Sequence, residues 1–157
     1  MYIDDKTRLS DSQAVTADAV GTNVYDMGVA RSIGSGEPMA IMFTVDVAAD
    51  QVTGDEDYTF DIEFATNAAQ STGRQLVGRR VFESGTPTAP AQDADLLVAG
   101  FRFYVPIPPV TLAETGRYLG IRYDVAGTTP TITVSADIVP MRTIDSTANY
   151  TGGYTIT

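Results

Sequence analysis

The stretch DYTFDIEF, residues 57–64, decides the fold because its apolar and polar residues alternate strictly. Tyr58, Phe60, Ile62 and Phe64 occupy every second position, and acidic residues or threonine lie between them. Successive side chains of a β-strand point to opposite faces, so this period of two predicts a strand with one face in a core. The chain therefore contains at least one half-buried strand.

The same alternation recurs along the chain. Further candidate strands lie at residues 39–47, 76–83, 100–107, 117–125 and 131–139. Stretches rich in Gly and Pro separate them, at 34–38, 53–57, 84–90 and 127–130. Strands separated by such turn signals are typical of an antiparallel sandwich or barrel. The 21 threonines favour strands over helices, since β-branched residues pack well on a pleated surface. We expect an all-β protein.

The length of 157 residues predicts a single domain. Residues 39–141 contain the clear strand patterns and form its predicted sandwich core. Residues 1–38 are interpreted as an extended N-terminal arm and residues 142–157 as a C-terminal tail, because neither shows a compact strand pattern. A polar terminal segment either remains disordered or lies on another surface, and the aromatic residues of the tail favour the second.

Composition excludes several classes of function. The chain has no Cys, His or Trp, which removes thiol nucleophiles, disulfides, Cys/His zinc sites and catalytic triads that use imidazole. The formal charge of -10 repels phosphate backbones and anionic lipids, so we expect neither nucleic acid nor membrane as a partner. No apolar run approaches the roughly 20 residues that span a bilayer, and the acidic N-terminus does not resemble a secretory signal.

The acidic residues offer two catalytic or metal-binding hypotheses, and neither is specific. Asp61 and Glu63 could form the carboxylate pair of a glycoside hydrolase, but their spacing is that of any amphipathic strand, and we expect both to face solvent. The acids between Asp46 and Asp57 lack the spacing of an EF-hand calcium loop. Lys6 is the only lysine, so no phosphate-binding loop with a lysine is present. We expect a protein that is not an enzyme and needs no cofactor or metal.

Nine arginines accompany that single lysine. Guanidinium groups suit fixed, bidentate pairing with carboxylates at interfaces, although coding bias explains the ratio equally well. Arg102, Arg117 and Arg122 alternate with aromatic residues, which predicts cross-strand contacts with Tyr104, Tyr118 or Asp124.

The N-terminal residues resemble a known family. The similarity lies in Ile3-Asp4, Ser10-Asp11, residues 13–16 (QAVT), Thr22-Asn-Val24 with Asp26, Gly28 and Arg31, and residues 33–38 (IGSGEP). In these elements the chain resembles the jelly-roll capsid cement, or decoration, proteins of tailed bacteriophages, of the type found in a Bordetella phage. Ser32 and Gly21 depart from the family pattern, and beyond Met39 the similarity is one of strand pattern and length.

The resemblance implies an antiparallel jelly-roll sandwich on the exterior of the virion. Such a protein would bridge neighbouring major capsid proteins and form a homo-oligomer, with a dimer favoured. The polar residues expected at a capsid or subunit interface are Gln13, Asn23, Asp26, Arg31 and Glu37, with Tyr150 and Tyr154 in the tail. Local hydrogen bonding is an equal alternative for each polar residue of the arm. Removal of residues 1–20 is expected to leave a folded sandwich.

The alternative from another class is a carbohydrate-binding or receptor-binding jelly-roll module of a phage fibre. It requires an exposed aromatic platform, for which Tyr104, Tyr118, Tyr150 and Tyr154 are the candidates.

Overall fold

The structure, a computed structural model, describes residues 5–29, 37–86, 88, 90–108, 116–142 and 144. These residues form ten strands, and short 3-10 turns occur at Asp5–Thr7 and Ala94–Leu96. The strands are β1 (Arg8–Val15), β2 (Ala19–Val20), β3 (Tyr25–Asp26), β4 (Met39–Val47), β5 (Asp57–Ala65), β6 (Gln75–Glu83), β7 (Gln92–Asp93), β8 (Arg102–Ile107), β9 (Tyr118–Ala126) and β10 (Ile132–Pro140).

The strands form two facing sheets. One has the order β1-β10-β4-β8, and the other has the order β2-β9-β5-β6-β7, with β3 also paired to β9. All neighbours are antiparallel except β6 and β7. The first and last long strands lie side by side, and the chain alternates between the sheets as two Greek keys do, which is the arrangement of a jelly roll. The predicted all-β sandwich is confirmed.

The core consists of the apolar faces that the alternation predicted. Tyr58, Phe60, Ile62 and Phe64 are all at most 1% exposed. The Phe60 ring lies 4.9 Å from the Phe103 ring of the opposite sheet, measured between centroids, in an edge-to-face arrangement. Edge-to-face pairs stabilise a core beyond the area that they bury. Strand β5 is therefore held between β9 and β6 in its own sheet and against β8 across the core.

Within the predicted N-terminal arm, residues 8–15 form an integral strand of the sandwich. Strand β1 pairs with β10, and Leu9 and Val15 are at most 1% exposed. The register shifts twice, between Arg8 and Ser10 and between Ser10 and Gln13. Bulges interrupt the alternation of inward and outward side chains, so the sequence lacks the usual strand pattern here.

The chain lies against the sandwich at the start of the predicted C-terminal tail. The Met141 amide donates a hydrogen bond to the Pro38 carbonyl at 2.8 Å. Ile144 is 5% exposed and packs with Ala40 and Val139 on the outer face of the four-stranded sheet. Beyond Ile144, the tail lies outside the described residues. Within the described part of the chain, no helix is long and apolar enough to cross a membrane.

Candidate interaction surfaces

Gln13 has a local structural role. Its side-chain oxygen accepts hydrogen bonds from the Ser10 hydroxyl at 2.7 Å and the Thr22 amide at 3.0 Å, and its side-chain nitrogen donates to the Val20 carbonyl at 2.9 Å. These bonds connect β1 with the chain around β2. The Tyr123 hydroxyl extends the network by donating to Ser10 Oγ at 2.9 Å inside the core. Gln13 thus fixes the crossing between the two sheets.

Asp26 is exposed and forms a bidentate ion pair with Arg117. Both oxygens of Asp26 lie 2.7 Å from guanidinium nitrogens of Arg117, and one oxygen also accepts from the Gly28 amide at 2.8 Å. The hydrogen bond from Arg117, and then that from Gly28, lower the pKa of Asp26. The pair joins β3 to the start of β9. It belongs to the fold of this chain, although its exposed position also permits contact with a partner.

Two further predicted interface residues have local contacts. Asn23 is exposed, and its backbone amide donates to the Leu9 carbonyl at 3.0 Å. Glu37 pairs with Arg142 at 2.7 Å, and both side chains are accessible to water. Exposed pairs of this kind contribute about 0–1 kcal/mol. The remaining predicted interface residues, Arg31, Tyr150 and Tyr154, lie outside the described residues.

The prediction that Asp61 and Glu63 face solvent is wrong. They lie on the outer face of their sheet, yet their side chains are only 2% and 4% exposed because arginines of neighbouring segments cover them. Arg79 binds both oxygens of Asp61, at 2.7 and 2.6 Å. Arg74 binds both oxygens of Glu63, at 2.9 and 2.6 Å, and Arg122 lies 3.4 Å from one of them.

This pairing determines the protonation state of Glu63. Burial is the largest influence and raises its pKa, but the hydrogen bonds and charges of Arg74 and Arg122 together outweigh burial and bring the pKa below its usual value. Glu63 is thus ionised at neutral pH and is unsuited to act as a general acid. With Asp61 also bound by an arginine, the two carboxylates form a structural ion-pair network.

The loop after β5 closes one side of this network. Gln70 is 1% exposed and has a positive φ of 53°. Its backbone carbonyl accepts from Arg122 at 3.2 Å, and its side chain lies directly over Gly120. A Cβ atom at position 120 would come within 2.7 Å of Gln70 Cδ. Glycine at this position therefore makes room for the loop that helps to bury Glu63.

A small apolar pocket of about 190 Å³ opens between the sheets. Its walls are formed by Thr7, Tyr25, Met39, Ile107, Leu119 and Ile138. Pockets for drug-sized ligands usually occupy about 300–1,000 Å³ and contain a few convergent polar groups. This pocket has no charged wall residue among those described. Likewise, no group of three or more acidic side chains in the described part of the chain is placed to hold a metal ion.

Among the described residues, few aromatic rings are exposed enough to contact a glycan. Tyr104 is 42% exposed on β8. The ring of Tyr118, the other described candidate, is covered by the Arg117 guanidinium at 5.0 Å from its centroid. This contact joins neighbours in the sequence, whereas the sequence analysis predicted contacts between strands. The Arg117 guanidinium therefore occupies one face of the Tyr118 ring.

One exposed apolar region was missed by the sequence analysis. Val47, Val52, Leu96 and Val98, here called the apolar end patch, are 58%, 90%, 43% and 54% exposed. Val47 ends β4, Leu96 ends the 3-10 turn Ala94–Leu96, and Val52 and Val98 lie in loops, so alternation gives no signal for the last three. The available signal was the presence of aliphatic residues in segments that are otherwise rich in Asp, Gly and Ala.

Comparison with known proteins identifies the family of this chain. No curated protein matches the chain. A family profile described as Bbp16 matches residues 9–138, and the name of that family suggests a protein of a Bordetella phage. The match extends from the start of β1 to the last strand, β10, and so covers the sandwich. The chain therefore belongs to the Bbp16 family.

Proposed function

We propose that this chain is a structural protein of a phage virion, which binds the outer surface of the capsid and stabilises it by bridging neighbouring major capsid proteins. The observation that carries the proposal is membership of the Bbp16 family across the sandwich. The resemblance of the N-terminal residues to phage cement proteins supplies the more specific role.

The charges support an exterior position. The chain has a formal charge of -10, which would repel packaged DNA inside a capsid. On the outside, the same charge would keep particles apart from each other. No nucleic acid or membrane partner is proposed.

A role without catalysis agrees with the chemistry of the described residues. The sequence has no imidazole or thiol, and arginines occupy the carboxylates that could have served a hydrolase. Such a protein stabilises a shell by mass action, since a ligand that binds only the assembled lattice favours assembly. A dimer would contact two capsomers at once and gain from effective concentration.

The test uses shells of the phage that encodes this chain, assembled without it. Purified protein is added, the shells are sedimented, and their resistance to heat is measured. We expect the protein to sediment with the shells at a fixed stoichiometry and to raise the temperature at which they break. Protein that remains in the supernatant at micromolar concentration would contradict the proposal.

A further inference from the structure

The apolar end patch lies at one end of the sandwich, where β4 ends and β5 begins. Two segments run side by side there. The Ala49 amide donates to the Leu97 carbonyl at 3.0 Å, the Gly100 amide donates to the Val45 carbonyl at 2.8 Å, and Gln51 Nε2 donates to the Ala94 carbonyl at 2.6 Å. These bonds hold the segments that carry Val47, Val52, Leu96 and Val98 against each other.

The patch is a concentration of exposed apolar residues. Among the described residues, eight large apolar side chains are exposed, and four of them belong to the patch. Single exposed aliphatic residues are normal, but several together mark an interaction surface. Leu97, between two patch residues, is fully buried and fixes the segment to the core. The patch is therefore displayed on an anchored segment.

Three aspartates accompany the apolar residues of the patch. Asp50, Asp93 and Asp95 lie on the same two segments, and none of them forms an ion pair with another described residue. Asp93 and Asp95 are exposed, and Asp50 is half-buried. The apolar end patch is therefore accompanied by two exposed acids, Asp93 and Asp95, that no described arginine or lysine neutralises.

We infer that the apolar end patch is the surface through which this chain docks on the capsid, against a protein surface that presents arginine or lysine around apolar side chains. This inference rests on the proposed function and identifies the face that would perform it. Charge complementarity selects the partner. Nucleic acid and anionic lipid would be repelled by the aspartates, and a second copy placed patch to patch would bring aspartates against each other.

The test compares two leucines of similar exposure in the same sedimentation assay. Leu96 in the patch is 43% exposed, and Leu76 at the opposite end of the sandwich is 46% exposed. Leu96→Ser combined with Val98→Ser is expected to weaken binding to shells by at least about tenfold, as loss of a central apolar contact does. Leu76→Ser is expected to remain within about twofold of the wild type. Thermal unfolding verifies that each variant is folded.

A charge variant tests whether the partner surface presents arginine or lysine to the patch. The carboxylate of Asp95 makes no hydrogen bond to another described residue, so Asp95→Lys reverses the charge without breaking a local contact. We expect it to weaken binding and to reduce the dependence of binding on salt. Wild-type affinity in both patch variants would overturn the docking surface and leave the proposed function intact. Wild-type protein that fails to bind would overturn the proposed function, and with it this inference.

Discussion

Asp57 begins β5 directly opposite Glu83 of β6, so two carboxylates face each other across the strand pair. Burial is the main cause that raises the pKa of Asp57, and the negative charges of Glu83 and Asp55 raise it further. A raised pKa means that the folded protein disfavours the ionised form. The ionised Asp57 therefore lowers the free energy of unfolding at neutral pH.

We predict that Asp57→Asn stabilises the protein at pH 7, by less than about 1 kcal/mol, because like charges directly opposite each other are destabilising by that order. The sign follows from linkage. The stabilisation by Asp57→Asn is fully present above the pKa of Asp57 in the folded protein and shrinks as the pH falls through that pKa. It is lost once the carboxyl of the wild type is protonated in both the folded and the unfolded state. Urea unfolding of variant and wild type at pH 7 and at pH 3 measures it.

The matched control is Asp95→Asn, since Asp95 is exposed and lies in the 3-10 turn Ala94–Leu96, outside the strand pairings. Its effect at pH 7 should lie within about 0.5 kcal/mol of zero. An Asp57→Asn variant that is less stable than the wild type at pH 7 would show that the carboxylate has a stabilising partner.

Strands β5 and β6 are joined on their outer face by the pair of Asp61 and Arg79. The two members differ in exposure, with 2% for the Asp61 side chain and 51% for that of Arg79. If Asp61 loses its charge, the guanidinium can turn into water. If Arg79 loses its charge, a carboxylate remains buried near Asp124, whose own pKa is raised by burial and then by the charge of Asp61.

We therefore predict that Arg79→Gln destabilises the protein more than Asp61→Asn does. The arginine variant should cost about 3 kcal/mol, as the loss of one partner from a buried pair does, and the aspartate variant about 1–2 kcal/mol for weaker hydrogen bonds. Urea unfolding at pH 7 gives both values. Equal costs, or a larger cost for Asp61→Asn, would mean that Arg122 compensates for the lost guanidinium.

The same strands show what the sequence could predict. The alternation of residues 57–64 correctly identified the inward face of β5, because inward and outward positions follow from backbone geometry alone. It could not predict that the outward Asp61 and Glu63 are buried. That burial depends on Arg74, Arg79 and Arg122, which reach them from a loop and two neighbouring strands. The pairing register of the strands and the reach of the arginine side chains determine this burial, and neither can be read from the sequence of one segment.

The candidate interface was predictable only in part. Gln13 and Asp26 were predicted as interface residues, with local hydrogen bonding as the alternative. In the structure both form hydrogen bonds within the sandwich, in agreement with that alternative. The Bbp16 match agrees with the phage resemblance of the N-terminal residues. The aliphatic residues of the apolar end patch were visible in the sequence, but their grouping was not. It arises only when the segments before β5 and before β8 are brought side by side by hydrogen bonds between distant residues.

The position of β1 changes the expected result of truncation. Removal of residues 1–20 deletes β1 and β2, takes Leu9 and Val15 out of the core and leaves the edge of β10 unpaired. Each of these two buried side chains contributes about 1.5–3 kcal/mol. Their sum is a large share of the 5–15 kcal/mol by which domains are stable.

We predict that the chain without residues 1–20 does not unfold cooperatively, contrary to the expectation from sequence that the sandwich would survive. Near-ultraviolet circular dichroism and thermal unfolding measure this directly. Asp11→Ala is the control within β1, because it removes only an exposed ion pair with Arg8 and should cost less than about 1 kcal/mol. A truncated chain that melts like the wild type would show that β1 is an accessory arm. If the prediction holds, failure of the truncated chain to bind shells reports loss of the fold, so that interface residues must be tested by point substitution.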